Sequence, residues 1–285
     1  MKVFDSIHFT SIWTIIPIYN IQTMFKAKIT HNKKPLIRAV LITAVIILSW
    51  NFLTHSPSGC YGKALSIGSS VCHQISSHSF SSDDIQFPVC ARCTGLYLGS
   101  FIGILYGFLS GKKIAIPKKK YLILLAILFI LWAGDGLNSL INEFLNDPLI
   151  YQTTNTTRLI TGYGMGLVMS TALVTLFNFT VWKTGIKIPV LDNVQQIVGY
   201  AILSALSSQL ILTNNRFLFQ VAAYIATFMI LSIITLLYSI FWVILFKKEN
   251  RFSRWKEFAI YILAGYATAI LQVILLIALR TEFFF

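Results

Sequence analysis

Cys72 and His73 stand side by side, and Cys90 and Cys93 follow with two residues between them. A C-x-x-C pair is one half of a structural zinc site, and a third thiolate from Cys72 makes zinc the implied cofactor. Sequence neighbours rarely reach one ion together without backbone strain. The spacing therefore points to His78, Cys60 or His55 for a fourth ligand and leaves His73 for acid–base work. The same C-x-x-C, beside Arg92 at the head of an apolar run, is also where a thiol pKa falls and a thiolate becomes reactive. On an oxidising face the four cysteines would instead pair as disulfides, with Cys60–Cys72 and Cys90–Cys93 one of three connectivities. Metal, redox and disulfide readings all remain open at this point.

A second cluster begins with Asp135, Gly136 and Asn138 and resumes with Asn155, Arg158, Thr161 and Gly162. Asp135 is the acidic residue that lies well inside an apolar run. A carboxylate there must face the bundle interior and find a partner, and Arg158, across a short connection, is the expected one. Such a pair either clamps two helices or works in a site. Arg92, Asn138, Asn155 and Thr161 are the polar groups that would meet a substrate beside it. Gly95 and Gly99, like Gly162 and Gly166, are four apart and give smooth faces for close helix contact.

In order, these stretches are Cys72-His73-Gln74, then Ser79-Phe80, then the run from Pro88 through Cys90, Arg92, Cys93 and Thr94 to Gly99. Downstream come Asp135-Gly136 and the run from Asn155 to Gly162. This series resembles a prokaryotic integral-membrane family classed as a domain of unknown function, over roughly residues 55–180. The resemblance implies a membrane protein and singles out these residues, and it implies no reaction. Where that family often carries Gln four residues after the Asp, this chain has Ser139.

These residues need elements to carry them. Of the 285 residues, 56% are hydrophobic and 12% charged, and the mean hydropathy is +0.72. Soluble domains run nearer ~25% charged, so an ordinary soluble enzyme is excluded. A bilayer core asks for about 20 apolar residues per helix. Seven stretches qualify, near 36–54, 94–111, 121–141, 158–182, 194–213, 217–246 and 256–279. The fold class is all-α, a multi-pass transmembrane bundle forming a single membrane domain over 1–285. Residues 7–25, broken by Pro17, Asn20 and Gln22, read as an interfacial helix or as an eighth span. Residues 55–92 read as one external Cys/His loop, 55–180 as the motif-bearing core and 194–280 as three further spans.

Charge sets the orientation. Of the 23 basic residues, 18 fall on one side, and Lys63, Arg92, Arg158, Arg216 and Arg280 on the other. The positive-inside rule then makes the N-terminus and the Lys-rich loops cytoplasmic and the C-terminus exoplasmic. The net charge of +13 is therefore topological, and nucleic acid drops out as a partner. The expected partners are the bilayer and a lipid-linked or small anionic ligand. The expected feature is an outer polar pocket closed by Asp135, Asn155 and Arg158. Its use is as a metal- or thiol-dependent membrane enzyme, as a transporter gated by the Asp–Arg pair, or as a disulfide- or zinc-stapled cap without catalysis.

Overall fold

A computed structural model describes residues 34–145, 150–213 and 215–283. The helix expected at 7–25, and with it the eighth span, lies outside these residues. The chain divides into two units, residues 1–40 and 41–285. Of the first, only the opening of one helix is described. The second carries everything that follows.

Among the described residues, seven helices are long and apolar enough to cross a membrane. They are α1 (Lys34–His55), α3 (Ala91–Leu109), α4 (Lys119–Leu145), α5 (Asn155–Val181), α6 (Val194–Leu212), α7 (Arg216–Leu245) and α8 (Trp255–Phe283). All match the apolar runs read from sequence, and the structure is an all-α multi-pass bundle. A shorter helix, α2 (Gly59–Ser69), precedes α3. It corrects the reading of 55–92 as a loop: Ala64, Ile67 and Gly68 are buried, and that burial folds a glycine-bearing segment of low intrinsic helicity. After α2 the chain makes a 3-10 turn at Ser76–His78 and a two-stranded hairpin, β1 (Ser81–Ser82) with β2 (Ile85–Gln86). Asp83 and Asp84, at φ 47° and 62°, form the turn, as a tight right-twisted hairpin requires.

The central pair is α3 against α5. A Cβ at Gly95 would collide with the Leu159 carbonyl, and one at Gly162 with the Arg92 carbonyl. A Cβ at Gly166 would come within 2.8 Å of the Ser100 amide nitrogen. With glycine at these crossings the two backbones touch, the small-residue packing that membrane helices use in place of a hydrophobic drive. This approach also brings Arg92, in the first turn of α3, within side-chain reach of α4.

The two ends of the bundle are built differently. At one end β3 (Lys113–Ala115) pairs in parallel with β4 (Ile186–Pro189). Lys183 N–H donates to the Phe252 carbonyl at 2.9 Å, so all three Lys-rich connections meet there. Phe177, Trp182, Trp255 and Phe258 pack beneath them, mostly edge-on, with centroids 4.9 Å apart for Trp182 and Trp255. At the other end lie α2, the hairpin and residues 150–154. Phe87 and Val89 are fully buried there, Phe87 packing edge-on to Phe219 at 5.3 Å.

Candidate functional site

Cys90 is the residue before α3 and adopts extended backbone (φ −62°, ψ 161°), while Cys93 sits in the helix's first turn. Their sulfurs therefore point into the space in front of the helix N-terminus. Cys72 reaches the same space from the segment after α2. The three sulfurs lie within 4.8 Å of one another. The Cys90 amide donates to the Cys72 sulfur at 3.1 Å, which fixes the two segments in register.

Among the described residues the metal-compatible group contains these three cysteines alone. The expected fourth ligands lie apart. Cys60 is exposed in the first turn of α2, and the His55 ring is engaged with Thr54 and the Asn51 carbonyl. His78 packs edge-on to His73, with centroids 5.8 Å apart. All four cysteines are free thiols.

Hydrogen bonds from the Cys72 and Cys93 thiols hold the Cys90 thiol far below its ordinary range, and the His73 ring adds to the effect. Cys72, as the donor to Cys90, is pushed up to about 11. The hydrogen bonds of the cluster thus converge on Cys90, at a helix N-terminus that favours negative charge. His73 is exposed, and its Nδ1 accepts the Ile75 amide at 3.0 Å. That bond places the proton of the neutral ring on Nε2, so His73 faces the cluster as a donor.

Gln74 shows why Gln follows Cys-His. At φ 56° its backbone turns sharply, and its side-chain amide donates to Leu65 O at 2.8 Å and to Pro88 O at 2.7 Å. One carboxamide therefore ties the end of α2 to the strand that leads into Cys90. Arg280, from α8, completes the frame by donating to the carbonyls of Ser69 (2.9 Å), Cys72 (2.6 Å) and His73 (3.0 Å). Gln74 was visible in the sequence only as a motif letter. Arg280 was visible only as one of the few basic residues on the sparsely charged side.

The intramembrane carboxylate is buried, its side chain 0% exposed, and its partner differs from the expected one. Arg92 Nε and Nη2 donate to Asp135 Oδ2 at 2.9 and 2.7 Å. Tyr151 Oη donates to Oδ1 at 2.6 Å, and Thr161 Oγ1 lies 3.4 Å from Oδ2. Antiparallel register explains the correction. Asp135 on α4 is level with Thr161 on α5, and Ser139, one turn further along, is level with Arg158. The glycine contact between α3 and α5 meanwhile delivers Arg92. Asn138 holds the segment that presents Tyr151, accepting the Ile150 amide at 3.1 Å and donating to the Tyr151 carbonyl at 2.8 Å. Tyr151 itself had no signal in the sequence.

Arg158 is buried without a carboxylate. Its Nη1 donates to Asn155 Oδ1 at 3.0 Å, and its Nη2 to Ser139 Oγ at 2.9 Å and Thr153 Oγ1 at 3.0 Å. Asn155 also links the two clusters: its amide lies 3.2 Å from the Ser79 carbonyl and 3.4 Å from that of Ser77, in the turn that carries His78. Burial, and after it the Arg158 charge, holds His78 below its ordinary value. Cys72, His73, Cys90, Arg92, Cys93, Asp135, Asn138, Asn155, Arg158 and Thr161 therefore belong to one end of the bundle. Two cavities, of about 330 and 920 Å³, lie away from them. The first is lined by residues such as Tyr106, Asn193 and Tyr200, the second by residues such as Pro117, Phe129 and Leu176.

A family described as "Predicted membrane protein (DUF2085)" matches residues 72–172. An uncharacterized protein of Methanothermobacter thermautotrophicus is 35% identical over 104 residues, 35% of this chain and 84% of that protein. The chain belongs to the DUF2085 family. An uncharacterized protein of Methanocaldococcus jannaschii is 34% identical over 117 residues, 40% of this chain and 67% of that protein. No solved structure matches. The DUF2085 stretch runs from Cys72 to the middle of α5, so it contains the three cysteines, Asp135 with both its principal donors, and Arg158. Arg280 and helices α6 to α8 lie beyond it.

Proposed function

We propose that the chain is a metal-dependent membrane enzyme in which Cys72, Cys90 and Cys93 hold a thiophilic divalent ion, zinc foremost, and act on a membrane-embedded or lipid-linked substrate. The observation that carries this reading is the meeting of three sulfurs from two chain segments, within 4.8 Å of one another, with no fourth protein ligand among the described residues. Three protein ligands and one open position is the catalytic pattern of zinc, whereas structural sites are closed by four. The bound ion would supply Lewis acidity and an acidified water. The chain's own residues do the rest. His73 offers a proton-bearing nitrogen beside Cys90. Gln74 and Arg280 fix the ligand-bearing backbone, as the outer hydrogen bonds of metal sites do. Arg92 and Asp135 lock α3 to α4 directly beneath. By the positive-inside rule the Lys-rich end is cytoplasmic and the cysteine end exoplasmic.

Metal analysis of the purified protein, with thiol counting under non-reducing conditions, tests the reading. One zinc per chain, three thiols that alkylate only after chelation and a freely reactive Cys60 are expected, and Cys90→Ser should lose the metal. Metal-free protein with a disulfide among Cys72, Cys90 and Cys93 would sink it. For orientation, a cysteine reporter in residues 111–120 should resist impermeant reagents in intact cells, and one at 144–150 should react.

A second reading, a closed and inert cap, draws support from the three loop carbonyls already held by Arg280. Cobalt substitution separates the two. An open position changes its visible spectrum when a small anion is added, and a closed one does not.

A further inference from the structure

We infer that Arg158 is an oxyanion receptor: the cluster binds the phosphoryl group of its substrate through this guanidinium, with Asn155 and Ser139 beside it. The inference deepens the reading above by naming the substrate's chemistry, and it rests on that reading for the site being catalytic.

The case starts from an imbalance. Two guanidiniums, Arg92 and Arg158, and one buried carboxylate, Asp135, lie on α3, α4 and α5 at this end of the bundle, while Arg280 is spent on loop carbonyls. Asp135 is taken up by Arg92, Tyr151 and Thr161. Arg158 is 6% exposed, and its three hydrogen bonds all go to neutral side-chain oxygens. Its Nε is buried with no partner at all. A guanidinium has five N–H donors and no acceptor, so donors remain to be satisfied. Glu143 is the other carboxylate whose charge acts on Arg158, and it is exposed and makes no ion pair with it.

A buried charge without a counter-charge costs several kcal/mol. Intramembrane arginines are normally paired for that reason. A clamp between two helices would use a carboxylate, as Arg92 does one turn away. A guanidinium held ready by three neutral oxygens, with two donors left over, is instead arranged for an anion that comes and goes. The neighbouring groups agree. The Ser139 and Thr153 hydroxyls and His78 can each donate to an oxyanion, and none of them repels one. The planar fork of arginine suits a phosphoryl group with several acceptor oxygens. Such a group arrives either on a lipid headgroup or on a water-soluble phosphoester.

The test is thermal unfolding of the detergent-purified protein, with metal content measured on the same sample. One arm adds inorganic phosphate at constant ionic strength, with chloride as the control, and the other adds mixed micelles of phosphatidylglycerol against phosphatidylcholine. Stabilisation by phosphate alone assigns a soluble phosphoester, by phosphatidylglycerol alone a headgroup, and by both the shared phosphoryl chemistry. Arg158→Gln should abolish the shift. If that variant fails to fold, Arg158→Lys decides, with an affinity weakened at least about tenfold, the worth of one charge-assisted hydrogen bond. No stabilisation in either arm, or one that survives in the Arg158 variant, overturns the inference. Phosphate binding by metal-free protein would retain this inference and break the metal reading. Zinc-bound protein that ignores both ligands would do the reverse.

Discussion

The two ends of the bundle handle charge in opposite ways. At the Lys-rich end Lys118, Lys119, Lys120, Lys183, Lys187, Arg251 and Arg254 are all exposed. Lys112 donates to Ser253 O at 2.7 Å and lies 3.9 Å from the Trp182 ring centroid, and Lys120 lies 4.8 Å from that of Tyr121. Backbone pairing and packed aromatics hold that end, and its charges act through their sum. At the cysteine end the basic residues are few, and Arg92, Arg158 and Arg280 each have defined partners on other segments. There the identity of each residue matters. A membrane protein can thus carry many interchangeable cations at one end and keep a few addressed ones at the other.

Substitutions should expose this contrast. The largest effect is expected at Arg92: Arg92→Gln leaves Asp135 buried without its cation and should cost about 3–5 kcal/mol. The neutral double variant Arg92→Gln with Asp135→Asn should recover much of that, read by unfolding in detergent. If Arg92→Lys behaves as wild type, the pair acts as bulk charge and the contrast fails. Gly162→Ala comes next. A methyl against the Arg92 carbonyl forces α3 and α5 apart and should cost about 1–3 kcal/mol. Gly134→Ala, with no atom within 4 Å of the new carbon, should be neutral or stabilising.

Arg280→Gln removes a charged donor from three carbonyls and should cost roughly 1.5–3 kcal/mol. Its sharper readout is faster alkylation of Cys72 and Cys90. Lys112→Gln should lose no more than about 1 kcal/mol, the worth of an exposed cation–π contact. A loss at Lys112 as large as that at Arg280 would erase the difference between the ends.

The smallest effect is a titration. Burial, and then the bond to Asp135, pushes the Tyr151 phenol up to about 12. A raised pKa means the folded protein prefers the neutral phenol. Its contribution is complete below the ordinary tyrosine value near ~10 and disappears as pH climbs through the raised value. Tyr151→Phe should therefore remove one late component from the phenolate absorbance titration and, at neutral pH, forfeit the stability of its hydrogen bond to Asp135.

The helices were legible because an apolar run long enough for a bilayer allows little else. The cysteine cluster was legible because C-x-x-C and Cys-His restrict geometry locally. What escaped reading depends on register. Arg158 was the expected partner for Asp135, and Arg92 takes its place because of the offsets of α3, α4 and α5, which follow from where Gly95 meets Leu159 and Gly162 meets Arg92. Helix α2 escaped because its stability comes from the burial of Ala64, Ile67 and Gly68 and not from its own residues. Arg280 escaped because it lies more than 200 residues from the carbonyls it serves.

That separation has a consequence in time. The Cys72 carbonyl is synthesised 208 residues before the guanidinium that will hold it. At ~5–20 residues per second, roughly 10–40 s of translation pass between them. During that interval the cysteine segment stands without its last fastening. Arg280 therefore closes the frame around the cysteine segment only once nearly all of the chain has been made.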